Sequence, residues 1–274
     1  MEETLINHLG PSKLIVESTN PPGCKEQVPI VFLHGAGCGS WYFKNALKWF
    51  SSQGFECHAI NLRGHHPDNK VLTSEFIKLD VEDFVDDLDV VLEHVGRPAL
   101  LVAHSLGGLV ALKHAEIGIT ECLGLVLQSP GPPQNVVGGY NFPSYGTRLP
   151  VPPPTKELIR TMYFHDVEQE VLNTVVDLVC EESPVFLNSA SRNRIDVDPS
   201  RISDPVLVLS ASLDVVQGLN SGLDYAIAKT YNAEYKVLRN MGHFCLLEKN
   251  WLSPVKIIRD FVYQKFGTGS WEKV

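Results

Sequence analysis

Residues 98–113 read PALLVAHSLGGLVALK. An apolar run meets His104-Ser105-Leu106-Gly107-Gly108, and a second apolar run begins at once. The first run suits a strand buried on both faces, and the second suits a buried helix. Large side chains would clash in so sharp a turn, and the residues two before and two after Ser105 are the small Ala103 and Gly107. A strand that turns directly into a helix is the building unit of a sheet with helices on both faces.

The rest of the chain repeats that unit. Short apolar runs bounded by turn residues occur at 28–33, 55–62, 122–127, 205–209 and 235–238. They read as further strands buried on both faces of a parallel sheet. Residues 14–16 read as an antiparallel edge strand. Between the runs the apolar period becomes helical. Val81, Phe84, Val85, Leu88, Val91, Leu92 and Val95 fall on one face. Phe43, Leu47 and Phe50 mark an earlier helix, and Trp251, Val255, Ile258 and Val262 the last one. The acidic side of 80–93 reads as a solvated helix face. The predicted fold class is α/β, a mostly parallel, doubly wound sheet.

One region breaks the rhythm. Residues 130–154 hold eight prolines and four glycines, and a helical stretch follows over 155–188. Long insertions in compact domains are usually functional. Residues 131–200 are therefore expected to form a helical cap, with 1–130 and 201–274 as the core. The cap carries Tyr140, Phe142, Tyr145, Tyr163 and Phe164. These rings suit either an apolar pocket or the packing of the cap onto the core.

Composition narrows the partners. The formal net charge is −9, which lacks the basic footprint that nucleic acid requires. Six cysteines, at 24, 38, 57, 122, 180 and 245, form no CxxC pair and fit no zinc or redox spacing. The N-terminus shows no apolar signal region, and no run of about 18 apolar residues suggests a membrane span. A cytoplasmic location is the expectation.

A serine hydroxyl is a weak nucleophile until a base takes its proton. His243 follows the run at 235–238, and Asp214 follows the run at 205–209. Both fall at the carboxyl edge of the expected sheet, where sites of open α/β sheets form. The helix beginning near Leu106 would present its positive end and free N–H groups to a developing oxyanion. His65 and His66 are the only adjacent histidines; His66 is expected at a pocket rim, and metal binding is not expected for lack of a third ligand.

HGAG (34–37), RGHH (63–66), AHSLGG (103–108), ASLD (211–214) and GHFCLLE (242–248) occur in this order, each at a strand end. With them the chain resembles the α/β-hydrolase superfamily over nearly its full length. Ala103 and His66 depart from the glycines usual at those places. The resemblance implies the α/β-hydrolase fold, with Ser105 as nucleophile, His243 as proton shuttle and Asp214 as its orienting acid. It implies an oxyanion hole from the backbone N–H groups of Ala36 and Leu106. His34 would hold the oxyanion loop, and His104 would pack beneath the nucleophile. No metal or organic cofactor is implied.

The cap pattern, with TMYFHD (161–166) followed by an acidic amphipathic helix and EESPVFLNSAS (181–191), looks more like serine esterases and lysophospholipase-like hydrolases. The implied reaction is hydrolysis of a small carboxylic ester with an apolar portion, through an acyl-enzyme. HGAGCGSWYF also resembles the methylesterase and hydroxynitrile-lyase branch. Its lyases need an added lysine near the histidine, for which Lys249 is the nearest candidate. A lactonase, a thioesterase and a binding protein without turnover remain alternatives on the same residues. Oligomeric state is left open. Arg148 and Arg160 are single candidates for an anionic substrate group, and a solvated position is expected for each.

Overall fold

A computed structural model describes residues 4–21, 27–136, 144–191, 194–218 and 222–267. The strands are β1 (Leu5–Leu9), β2 (Leu14–Thr19), β3 (Ile30–Leu33), β4 (Cys57–Asn61), β5 (Ala99–His104), β6 (Cys122–Gln128), β7 (Val206–Ala211) and β8 (Glu234–Leu238). They form one sheet in the order β1-β2-β4-β3-β5-β6-β7-β8. The pairs from β4 to β8 are parallel, and β1–β2 and β2–β4 are antiparallel.

The alternation of side chains along each strand feeds two apolar layers. Val31 and Leu33 of β3 join α3 (Val81–Val95) and α4 (Leu106–Ile117) on one face. Ile30 and Phe32 join α1 (Lys44–Ser52) and α9 (Leu252–Phe266) on the other. These strand residues are fully buried, which is why their sequence runs are continuously apolar. Each such side chain contributes about 1.5–3 kcal/mol of transfer free energy.

The strand expectations hold at the centre and fail at the margins. Residues 14–16 do lie in an antiparallel strand, but β1 covers its outer side, so β2 is not the edge. The run at 235–238 is an edge strand whose Lys236 and Val237 are exposed, not a strand buried on both faces.

The acidic side of α3 is not wholly solvated either. Glu82, Asp86 and Glu93 face water, but Asp87 and Asp89 are buried. Arg63 grips Asp87 with its Nε–H at 2.7 Å and its backbone N–H at 2.8 Å. The Asp89 carboxylate lies 2.8 Å from His114 Nε2. Buried carboxylates persist when paired in this way. The helix itself starts on a capping box between Asp80 and Asp83 and stops at Gly96, which has φ +70°.

Two further short or peripheral helices complete the core, α2 (Thr73–Phe76) and α8 (Leu223–Thr230). Between β6 and β7 the chain leaves the sheet. The excursion carries α5 (Lys156–Leu158) running into a π-type turn at Ile159–Tyr163, then α6 (Gln169–Leu178) and α7 (Pro184–Ser191). The helical stretch expected over 155–188 is thus broken twice. The second break runs from Val179 to Pro184, a residue that suits a first turn and opens α7. Before it, Val151 and Glu182 form an antiparallel bridge through two backbone hydrogen bonds, at 2.9 and 3.0 Å. Tyr140, Phe142 and Cys24 lie outside the described residues. Among the described residues no helix is long and apolar enough to cross a membrane.

Candidate active site

Ser105 occupies the turn between β5 and α4 with φ +53° and ψ −126°. A non-glycine residue held there costs about 1–3 kcal/mol, which the surroundings must offset. They do so through the backbone. Ser105 N–H donates to the Gln128 carbonyl at 3.0 Å, and its own carbonyl accepts from Gly108 and Gly131 at 2.9 and 2.8 Å. Gly107 lets α4 run against β3. A Cβ there would stand 2.3 Å from the His34 carbonyl oxygen and 2.7 Å from that of Leu33. Ala103 is fully buried within β5, so its extra methyl is absorbed by the sheet core.

Ser105, His243, Ala36 and Leu106 line one cavity of about 580 Å³. Asp214 is not on its wall but behind His243, with Oδ2 2.7 Å from His243 Nδ1. A carboxylate only accepts, so Nδ1 carries the proton and Nε2 is left as the basic nitrogen. Burial pushes the Asp214 carboxyl up, yet the electrostatic pull of His243 and the hydrogen bond from it outweigh burial and hold the group below the usual carboxylate range. A second buried acid, Asp224, lies near Asp214 on α8. Burial first, with Asp214 adding to it against a hydrogen bond from Ser210, pushes Asp224 up to about 7.

The loop bearing His243 is held on both sides. Gly242 N–H donates to Glu248 Oε1 at 3.1 Å, and Phe244 N–H donates to the Tyr163 carbonyl at 2.8 Å. The imidazole packs among His104, Tyr163 and Phe244. His104 stacks on Tyr42 with ring centroids 4.2 Å apart, and its Nε2 faces the His243 carbonyl at 3.2 Å. Burial, reinforced by His243, drives its pKa well below the usual histidine value, so it packs as a neutral ring.

The loop at 34–39 faces Ser105 from the end of β3. His34 accepts Leu62 N–H at Nε2, 3.1 Å, so its Nδ1 carries the proton and donates to the Gly35 carbonyl at 2.8 Å. Burial and the neighbouring His65 lower its pKa to about 3. Cys38 N–H reaches the same Gly35 carbonyl at 3.2 Å. Gly35 O and Ala36 N–H belong to one planar peptide and point in opposite directions, so fixing the carbonyl fixes the N–H.

The excursion supplies much of the wall, including Tyr145, Leu158, Met162, Tyr163 and Leu187. Phe164, by contrast, packs on Phe244, with centroids 5.4 Å apart, and fastens the excursion to the core. The aromatic residues thus divide between the two expected roles. His66 does not reach this cavity. It lines a neighbouring one of about 820 Å³, with Lys70 and Asp177. Lys249 is tied to Asp166 at 2.8 Å on the surface, and neither it nor the exposed Arg148 and Arg160 lines the Ser105 cavity. Glu182, which no sequence pattern singles out, does line it. Among the described residues no group of three or more His, Cys, Asp or Glu side chains is arranged to hold a metal ion.

The sequence matches the model of the alpha/beta hydrolase family over residues 30–252, and the chain belongs to that family. Among curated proteins none matches the sequence. Solved structures share the fold at low identity. A methylesterase from Arabidopsis superposes with a TM-score of 0.71 at 16% identity, covering 86% of this chain and 99% of its own. A monoacylglycerol lipase from Paleococcus ferrophilus gives 0.70 at 19% identity, covering 92% and 99%. A thermophilic esterase from Thermogutta terrifontis gives 0.70 at 16%, covering 96% and 98%.

Proposed function

We propose that the protein hydrolyses small carboxylic esters through an acyl-enzyme on Ser105. The observation that carries this reading is one cavity lined by Ser105 at its strained turn, by His243 with an Asp214-bound Nδ1, and by Ala36 and Leu106. In this reading His243 Nε2 takes the Ser105 proton as Oγ attacks the ester carbonyl. The new oxyanion is held by the N–H groups of Ala36 and Leu106. His243 then returns the proton to the departing alcohol, and water releases the acid by the same steps in reverse order.

The excursion at 131–200 acts as a cap that shapes the acyl pocket. Tyr145, Leu158, Met162 and Leu187 make its wall apolar, which suits an acyl or aromatic group of moderate size. The lyase alternative loses its lysine, because Lys249 is held by surface carboxylates away from the cavity.

A panel of p-nitrophenyl esters from acetate to palmitate, run beside Ser105→Ala, tests the proposal. Turnover that peaks at one chain length and is lost in the variant is expected. Folded protein that turns over no ester, or a variant as active as the parent, would overturn it.

A further inference from the structure

Glu182 stands 117 positions from His65 in the chain, yet the two side chains meet in the interior. Glu182 Oε2 lies 2.9 Å from His65 Nε2 and accepts Gly37 N–H at 3.0 Å, while Oε1 accepts Ser183 N–H at 2.7 Å. The other ring nitrogen of His65, Nδ1, faces the Arg63 carbonyl at 3.1 Å. Carbonyls and carboxylates only accept, so the ring donates from both nitrogens and is an imidazolium. Burial opposes that charge, but Glu182 beside it prevails and lifts the pKa above the usual 6.5.

The same segment holds Gly37 by its other end. Cys180 N–H donates to the Gly37 carbonyl at 2.9 Å. Gly37 has φ +61°, and a Cβ there would stand 2.9 Å from the Cys180 carbonyl oxygen. Gly37 follows Ala36 directly, so Glu182 grips the N–H of the Ala36–Gly37 peptide. The core holds one side of this loop through His34, and the excursion holds the other through Glu182 and Cys180.

We propose that Glu182 is a positioning residue for the oxyanion hole: charged against the His65 imidazolium, it fixes the Ala36–Gly37 peptide and makes a seated cap a condition of catalysis. The proposal rests on the ester-hydrolase reading of Ser105. It has a pH signature. The groups around the pair are Arg63 and Asp87, paired with each other, His34, Cys38, Cys180 and the exposed Glu181. His34 is neutral above about 3, burial with nearby carboxylates holds Cys180 up at about 12, and burial raises Cys38 as well. His65 is therefore the member of this cluster that loses its charge as the pH rises, and with it the brace on Glu182.

The test is kcat and KM against pH, with p-nitrophenyl butyrate, for the parent, Glu182→Gln, Glu182→Asp and Ser105→Ala. The parent is expected to show an alkaline fall in kcat. Glu182→Gln should lose that fall and at least about 10-fold in kcat, short of the ~10²–10³ that deleting an oxyanion donor costs, with KM within about 3-fold. Glu182→Asp should recover part of kcat together with the alkaline fall. Glu182→Gln with kcat within about twofold of the parent and the alkaline fall intact would overturn the proposal. Should Glu182→Gln fail to fold, His65→Gln is read by the same criteria. Should both fail, the parent decides: kcat that stays level while His65 deprotonates, followed by its imidazole proton resonances, contradicts the proposal. Turnover that survives Ser105→Ala removes the serine reading itself, and the proposal with it, which separates the two failures.

Discussion

His243 Nδ1 and Asp214 Oδ2 lie 2.7 Å apart although the residues sit on loops after different strands, β8 and β7. Both side chains are nearly inaccessible, so the carboxylate has no water to satisfy it in place of the imidazole. Asp214→Asn should free the ring to adopt the other tautomer. A loss of about 10⁴ in kcat is expected, with the fold intact. The rate of Ser105 labelling by a fluorophosphonate should fall with it. A loss of less than about 10-fold would assign the orienting role to another acid, of which the nearby Asp224 is the first to examine.

Acid should weaken the fold from a defined pH downwards. His34 is buried neutral with its pKa lowered from 6.5 to about 3, and His104 is lowered too. The unfolded chain binds protons at these sites from about pH 6.5 downwards, while the folded chain does not, so stability falls as pH falls through that window. Glu56 adds a lower step. Burial raises it, but His58 and Arg97 prevail and bring it from 4.5 to about 2. Its stabilisation is present above 4.5 and is lost towards 2. Asp224, held up at about 7, contributes stability as pH falls over the same window and opposes this loss, so the urea midpoints of Asp224→Asn, which lacks that group, should decline from about pH 6.5 between pH 8 and 4. A midpoint level down to pH 5 would contradict the neutral assignment of His34.

Gly107→Ala tests the close approach of α4 to β3. The added methyl meets two carbonyl oxygens that belong to the sheet and its following loop. Overpacking of this kind costs about 1–3 kcal/mol. Because the His34 carbonyl is one of the two, activity should fall further than stability alone explains. Denaturant unfolding beside kcat separates the two effects, and a variant unchanged in both would show that the contact is not constraining.

Tyr163 stands edge-on to His243, with centroids 5.6 Å apart, and forms part of the cavity wall. Tyr163→Ala enlarges the pocket beside the reacting carbon. The preferred acyl chain should lengthen, and discrimination between adjacent chain lengths should weaken, since one methylene is worth about 1–3 kcal/mol in a fitted pocket. An unchanged chain-length profile would move the acyl group to another part of the cavity.

The central strands were legible because burial on both faces makes their residues continuously apolar, as in IVFL and ALLVAH. The places of Ser105, Asp214 and His243 in the fold were legible because each follows such a run. The margins were not. β1 (LINHL) has exposed Leu5 and Ile6, so its pattern does not separate inside from outside. Asp87 and Asp89 look like any acids on a helix surface, since Arg63 and His114, which permit their burial, come from other elements. Glu182 is hidden for the same reason: its partner His65 is defined only by the fold.

The proposed reaction passes through an acyl group carried on Ser105. Rapid-quench mass spectrometry of the intact protein with p-nitrophenyl butyrate measures it directly. A transient adduct of one butyryl group is expected, mapped by peptide digestion to Ser105 and absent from Ser105→Ala. Turnover without any adduct on Ser105, or an adduct that persists in the variant, would contradict it.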